Sequence, residues 1–342
     1  MILVTGGTGL IGSHLLLALL KQKQKVRAIY RNATSCMKVN TLFQLMEADD
    51  LFPQIEWVEA DLLDLTALSK AFEGITKVYH SAALVSFEQK DAKALMDINV
   101  TGTQNVVNLA LEIGVEKFAY VSSVAALGQY AEGKCTDENA LWQYQKNISN
   151  YSVSKYYAEN EVWRAAAEGL KVVIVNPVTV IGYSDWNNSS SMIIKKVAEG
   201  LPYYPDGTNG YVGVKDVVKA LLLLMNSEIV GEGYLLVAEN MSFKSLFDQL
   251  AYALGVNPPR WAISKRMAKI AKLFDQLKAL LTASKPALTR ESIEAVYAER
   301  CFSSEKIENE LNFSFESIKS VIEDQLPLYV KAPPVSSNKL RF

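Results

Sequence analysis

The chain has 342 residues, about half of them apolar, with 35 Lys and Arg against 37 Asp and Glu for a net charge of -2. That length allows a large core and a second lobe, and the charge balance gives no electrostatic case for nucleic acid or an anionic membrane as partner. No apolar run approaches the roughly 20 residues of a membrane span, and no positively charged segment precedes the first apolar run, so the expected compartment is the cytoplasm. The three cysteines, Cys36, Cys135 and Cys301, are odd in number and far apart, which argues against a disulfide framework and against zinc-type spacing. His14 and His80 are the only imidazoles. Each reads as locally engaged, so neither a metal site nor a His-based triad is expected.

In chain order, an apolar run from Ile2 to Thr5 breaks into Gly6, Gly9 and Gly12 and resumes as the helix-like Leu15 to Leu20. This strand, glycine turn and helix form the pattern of a dinucleotide cradle. Gly6 would permit the tight turn, Gly9 the approach of a pyrophosphate, and Gly12 the close packing of helix on strand, with Thr8, Leu10 and Ile11 between them. The anion would sit on free N–H groups at the helix N-terminus. The competing reading is a glycine-rich turn without a ligand.

Strand-like segments follow at Val26 to Tyr30, Glu56 to Ala60, Lys77 to His80, Phe118 to Ser122 and Val172 to Asn176. Helix-like segments lie at Leu10 to Lys21, Leu65 to Phe72, Ala92 to Ile113 and Asn150 to Glu168. The alternation predicts an α/β fold with a doubly wound parallel sheet of Rossmann type. The two long helices would cover the sheet or pair between subunits in a homodimer. After Gly182 the pattern loosens into loops at Tyr183 to Ser189 and Leu201 to Gly207, where a smaller C-terminal substrate lobe is expected. Residues 1–182 are therefore assigned to cofactor binding and 183–330 mainly to the substrate lobe, with return segments to the sheet, and 331–342 to a tail. Within the lobe, Trp261 to Leu281 reads as a basic amphipathic helix packing on its own domain or lying on a membrane, the former being the commoner use.

The end of the second strand, Tyr30-Arg31-Asn32, has no acid in reach to bind ribose hydroxyls. Arg31 thus favours NADP over NAD, unless it only closes a strand at the surface. Asp61, in Ala60-Asp61-Leu62, is placed to accept from an adenine amino group, to cap the next helix, or both.

A Tyr four residues before a Lys on one helix puts both on one face. A nearby ammonium would lower the phenol from its usual value near 10 and make it a usable proton shuttle. Tyr151 with Lys155 has this spacing, as do Tyr130 with Lys134 and Tyr211 with Lys215. Only Tyr151 opens a sustained helical pattern.

The set formed by Thr5 to Gly12, Ala60-Asp61-Leu62, His80-Ser81-Ala82-Ala83, Asn99 to Thr103, Val121-Ser122-Ser123, Tyr151 to Lys155 and Asn176-Pro177 resembles, in order, the extended short-chain dehydrogenase/reductases. The stretch to Gly182 and the closing Phe302 to Lys306 region resemble the dihydroflavonol reductase-like branch. The resemblance implies Tyr151 as proton donor or acceptor and Lys155 lowering its pKa and binding the nicotinamide ribose. It further implies Ser123 on the substrate oxygen, Asn99 holding a water of the proton relay, and cofactor contacts at Leu62, Ala82, Ala83, Pro177 and Val180. Relatives usually carry His or Asp where Gly213 stands, while Asp216 keeps its place and is expected to cap the next helix. The leading expectation is an NADP-dependent oxidoreductase acting on a carbonyl or secondary alcohol. A nucleotide-sugar epimerase or dehydratase with tightly bound NAD, or a non-catalytic cofactor-binding protein, are the alternatives. The small-molecule substrate would meet Ala82 to Phe87, the loop after Gly128 and Tyr183 to Met192. Of the aromatics there, Phe87, Tyr183 and Trp186 would line the pocket or fill the lobe core.

Overall fold

The computed structural model describes residues 1–130, 133–144, 148–186, 190–270 and 290–332. Seven parallel strands form the central sheet: β1 (Ile2–Thr5), β2 (Val26–Tyr30), β3 (Glu56–Glu59), β4 (Lys77–His80), β5 (Lys117–Val121), β6 (Val172–Pro177) and, returning late, β10 (Glu232–Leu236). Their order is β10-β6-β5-β4-β1-β2-β3. Every residue of β1, β5 and β6 is buried, as continuous apolar runs in the middle of a parallel sheet should be, whereas the edge strand β3 is partly exposed along its length.

Helices cover both faces. α1 (Leu10–Lys21), α2 (Ala33–Leu45) and α8 (Val214–Asn226) share one core with β1 and β6. On the other face, α3 (Leu65–Phe72), α5 (Gly102–Glu112) and α6 (Asn150–Ala167) pack through Leu68, Val106, Val107, Ala158 and Val162. This is the expected doubly wound α/β architecture. The expected helix Ala92 to Ile113 is not continuous: α4 (Ala92–Leu95) passes into a π-helical turn, Met96–Thr101, before α5 begins. Such turns insert an extra residue per turn and turn a side chain out of register. Here the turn carries Asn99, fully buried. The helix α2 had no strong apolar period to announce it. Asn32 caps it by accepting from the Thr34 N–H at 2.9 Å, and Val39, Leu42 and Phe43 bury its inner side.

After β6 the chain forms a second, three-stranded sheet, β7 (Thr179–Ile181), β9 (Thr208–Gly213) and β11 (Glu239–Ser242), in the order β11-β9-β7, in the region where the smaller lobe is expected. Around it lie α7 (Ser191–Ala198), α9 (Phe243–Ala253) and α10 (Arg290–Val296); α11 (Glu305–Leu311) packs instead on β10 of the central sheet, and α12 (Ile318–Lys331) returns to the smaller one. The amphipathic segment expected from Trp261 starts instead as a strand: β12 (Trp261–Ala262) pairs in parallel with β8 (Tyr203–Tyr204). Residues 265–270 are helical, and the rest, 271–289, lies outside the described residues. In the helical part Met267 and Ile270 are exposed while Ala268 is buried. Of the expected tail, Lys331 ends α12, and 333–342 lie outside the described residues. No described helix is long and apolar enough to cross a membrane.

The expectation against disulfides needs correction. Cys135 and Cys301, 166 positions apart, are joined, with Cα atoms 4.5 Å apart. Distance along the sequence was a poor guide because a parallel bridge between Thr136 and Phe302 brings the two segments side by side. Thr136 N–H donates to Cys301 O at 2.8 Å and Ser303 N–H to Thr136 O at 2.9 Å. Cys36 is free.

Candidate active site

At the carboxyl end of β1 the glycine turn is sterically specified. Gly6 has φ +69°, and a Cβ there would lie 2.5 Å from Ala82 N; a Cβ on Gly12 would lie 2.1 Å from Gly6 O. Neither position tolerates a side chain. A Cβ on Gly9 would meet only Gly6 O, at 3.3 Å, which leaves the outer side of the turn open. The first turn of α1 holds no acid, so its unpaired N–H groups face no competing side-chain anion. The residues present thus fit a pyrophosphate. Thr5 clasps the neighbouring strand end: its Oγ1 lies 2.6 Å from His80 Nδ1, and its carbonyl accepts from Ser81 Oγ at 2.8 Å. Ala82 and the exposed Ala83 follow directly.

Arg31 and Asp61, well separated in the sequence, face each other at 3.9 Å and are both substantially exposed. Asp61 does not cap α3. Its Oδ1 accepts from Leu63 N–H, while Asp64 takes the cap by accepting from Thr66 and Ala67. Leu62 is buried against Gly102, and its carbonyl accepts from Asn105.

Tyr151, Lys155 and Ser123 converge at the carboxyl ends of β5 and β6, the side on which open α/β sheets bind ligands. Ser123 caps a short 3₁₀ turn (Val124–Ala126), its Oγ accepting from Ala125 N–H at 3.1 Å, and its side chain stands beside the Tyr151 hydroxyl. Ser122 Oγ is buried without a partner, so of the two serines it is Ser123 that meets the tyrosine. Burial pushes the Tyr151 hydroxyl above its usual range, opposed by the Ser123 side chain. Lys155 is not what acts on it here: its Nζ donates to Tyr120 Oη at 2.8 Å and to Val121 O at 3.1 Å, and burial brings Lys155 down to about 7 against a pull upward from Glu159.

Asn99 is fully engaged. Oδ1 accepts from Leu84 N–H at 2.7 Å, and Nδ2 donates to Leu84 O and Ser154 Oγ, both at 2.9 Å. It thereby fixes the loop from Ala82 to Phe87, whose Phe87 ring meets Tyr151 edge-on at 5.8 Å. Pro177 ends β6 and Val180 is buried in β7.

The other Tyr–Lys pairs are spent elsewhere. Tyr130 donates to Asp137, with Lys134 over its ring, and Lys215 pairs with Asp324 while Tyr211 is buried. Both histidines are held by local partners, His80 between Thr5 and Thr103 and His14 on Tyr183 O, and burial lowers them to about 3 and about 4. Among the described residues no cluster of His, Cys, Asp and Glu could hold a metal.

Two aromatics assigned to the pocket or the core prove to be core. Tyr183 and Trp186 are buried against Tyr329 of α12, with ring centroids at 4.9 and 4.7 Å. Phe87 remains at the site. At Gly213 the missing side chain is replaced from a distance: a Cβ there would lie 2.7 Å from Val321 Cγ2, so α12 fills the space. Asp216 does not cap α8, which has no side-chain cap; its Oδ2 accepts from Glu316 N–H at 3.0 Å and anchors the approach to α12. Glu159 and Tyr120 escaped the sequence reading. The only signal for Glu159 is its place one helical turn after Lys155, and for Tyr120 its place at the end of β5.

The chain is similar to known proteins over most of its length. The model of the NAD dependent epimerase/dehydratase family matches residues 2–236. A Synechocystis sp. (strain ATCC 27184 / PCC 6803 / Kazusa) protein, named provisionally a dihydroflavonol 4-reductase, is 30% identical over 327 residues, covering 94% of this chain and 92% of its own. Among solved structures, gox2253 is 29% identical with a TM-score of 0.78 over 97% of this chain and 98% of its own. The UDP-glucose 4-epimerase of Thermus thermophilus, solved with NAD, shares the fold at 21% identity, with a TM-score of 0.74 over 97% of this chain and 99% of its own. The chain is an enzyme of the NAD-dependent epimerase/dehydratase family, within the extended short-chain dehydrogenase/reductases and on their dihydroflavonol reductase-like branch.

Proposed function

We propose that this enzyme is an NADP-dependent reductase or dehydrogenase acting on a carbonyl or secondary alcohol of a small molecule. The observation that carries the reading is the convergence of Ser123 and Tyr151 at the sheet's carboxyl edge, with Lys155 one turn further along the same helix. The nicotinamide, when bound, supplies or takes the hydride. Ser123 Oγ and Tyr151 Oη hold the substrate oxygen. In the reducing direction Tyr151, kept protonated by burial, donates its proton to that oxygen. Lys155 would bind the ribose and re-supply the proton, and Asn99 keeps the 82–87 loop against the site. Gly6, Thr8, Gly9, Leu10, Ile11 and Gly12 would hold the pyrophosphate, with Asp61, Leu62, Ala82, Ala83, Pro177 and Val180 lining the rest of the cofactor. Arg31 would take the 2′-phosphate by leaving its loose pairing with Asp61.

Residues 1–182, with the returning α8 and β10, would make the cofactor half, and the remainder to 330 the substrate lobe. A homodimer would pair the outer faces of α5 and α6. There Arg164 ties Asn108, Glu161 and Glu168 together, with the exposed Tyr157 two turns away on the same face. A cytoplasmic home requires Cys135 and Cys301 to meet a reducing pool, which thiol mapping of protein from intact cells would test.

The test of the activity is Tyr151→Phe. Turnover with NADPH and a panel of aldehydes and ketones is expected to fall by about 10²–10⁴-fold, with cofactor affinity little changed. Unchanged turnover would overturn the assignment. The second reading, a nucleotide-sugar epimerase, is favoured by the fold shared with an NAD-bound epimerase. Purified protein that retains NAD and interconverts UDP-sugars without net redox change would decide for it.

A further inference from the structure

Lys155 is buried, and its two hydrogen bonds go to neutral oxygens, Tyr120 Oη and Val121 O. The titratable groups facing it come from three elements: His80 on β4, Tyr120 on β5, and Tyr151 and Glu159 on α6. Burial keeps His80 neutral and both tyrosines protonated around neutral pH. Among the described residues that leaves Glu159 as the one carboxylate whose charge favours the Lys155 ammonium.

Glu159 is itself buried, and it is not held by Lys155. Its Oε2 accepts from Asn176 Nδ2 at 2.7 Å and its Oε1 from Trp163 Nε1 at 3.2 Å. The same Asn176 Nδ2 also donates to the carbonyl of Ser123 at 3.3 Å. One amide on β6 thus joins the backbone of the serine to the carboxylate one helical turn beyond the lysine. A buried carboxylate is costly unless its hydrogen bonds are made, and here they are made by groups that also locate the site.

We propose that Glu159 and Asn176 are a positioning couple: Glu159, one helical turn beyond Lys155 and buried with it, supplies the negative charge for its ammonium, and Asn176 holds that side chain in register with Ser123. Neither need touch substrate. The idea rests on the reading of Lys155 as a cofactor-binding residue, and it makes two separable demands. Removing the charge of Glu159 while keeping its shape must move the pH at which Lys155 loses its proton. Removing the Asn176 amide must disturb Ser123 while leaving a carboxylate on the helix.

The experiment compares wild type, Glu159→Gln, Glu159→Asp and Asn176→Ala by NADPH affinity from quenching of tryptophan fluorescence and by kcat/KM, each from pH 5.5 to 9.5, with thermal melts alongside. In wild type, NADPH affinity is expected to weaken as pH rises through the Lys155 transition. In Glu159→Gln the midpoint of that loss should move down by roughly one pH unit or more, the effect of removing a nearby opposite charge. Glu159→Asp should restore part of the shift. Asn176→Ala should leave a lysine-type transition in binding but lower kcat several-fold. A Glu159→Gln protein that folds and keeps the wild-type midpoint refutes the electrostatic role, and an Asn176→Ala protein with unchanged kcat refutes the tether. If Glu159→Gln does not fold, Glu159→Asp and the wild-type profile decide: no pH dependence of NADPH binding in this range refutes the idea. Tyr151→Phe run in parallel separates the two failures, since the binding midpoint can be read without turnover.

Discussion

From β1 to β6 the sheet is made of short apolar runs paired with parallel neighbours, and the glycine turn and the Ser123 cap at its carboxyl edge are each set within a few residues. The region after Gly182 is closed differently, by single hydrogen bonds that span more than 140 positions. Tyr183 N–H reaches Gln325 Oε1, 142 positions away, Ser184 N–H reaches Tyr329 Oη, and Trp186 Nε1 reaches the carbonyl of Ala332. Local pattern therefore specifies the cofactor half, whereas the lobe depends on the C-terminal helix arriving. The cofactor half should tolerate losing any one distant contact; the lobe should not.

The sharpest way to break that contrast is to cut the covalent tie between Cys135 and Cys301. Cys301→Ser is expected to cost about 2–4 kcal/mol in urea unfolding, and reduction of the wild type should reproduce the loss. An equal loss in Cys36→Ser would show that the effect is not the bond's. Next comes a change confined to the cofactor half. Arg31→Ala should lower the NADP-over-NAD ratio of kcat/KM by about ten-fold or more, the worth of a charged hydrogen bond, while leaving unfolding unchanged. If stability falls as well, the two halves are less independent than their contacts imply. Within the lobe, Tyr329→Phe removes the hydroxyl that donates to Gly182 O, accepts from Ser184 N–H and lies 2.6 Å from Ser191 Oγ, and should cost about 1–3 kcal/mol. A merely local effect would leave Tyr183 and Trp186 fluorescence unaltered.

The smallest effect concerns pH. Burial raises Asp216 to about 6, against an ordinary carboxylate value near 3.8. The folded state therefore holds this proton more tightly than the unfolded chain does. Its stabilising contribution is complete below the unfolded value and is lost as pH climbs from about 4 through 6. Asp216→Asn still offers an oxygen to Glu316 N–H, so its melting temperature relative to wild type should rise over that window and level off above it. A flat difference would place the burial of the carboxylate in doubt.

The same contrast explains what the sequence could disclose. The six strands from Ile2 to Asn176 were legible to within a residue or so because an apolar run bounded by turn residues has few alternatives in a parallel sheet. The glycine turn and the Tyr151–Lys155 helix were legible because their spacing is local, whereas Ser123 came only with the resemblance to the extended short-chain dehydrogenase/reductases. The kink at Asn99 was not, since a π turn leaves no mark in apolar periodicity. For Tyr183 and Trp186 the sequence does not decide between pocket and core, because their partner, Tyr329, belongs to a helix 146 or fewer positions further on. Gly213 looked like a loss for the same reason, its replacement by Val321 being visible only in space.

The bond between Cys135 and Cys301 also closes the chain into a covalent ring that contains β6, every strand of the lobe and the returning β10. A single peptide cleavage anywhere between those two cysteines opens the ring without releasing a fragment. Nicked protein would migrate as one species until a reductant is added and as two afterwards.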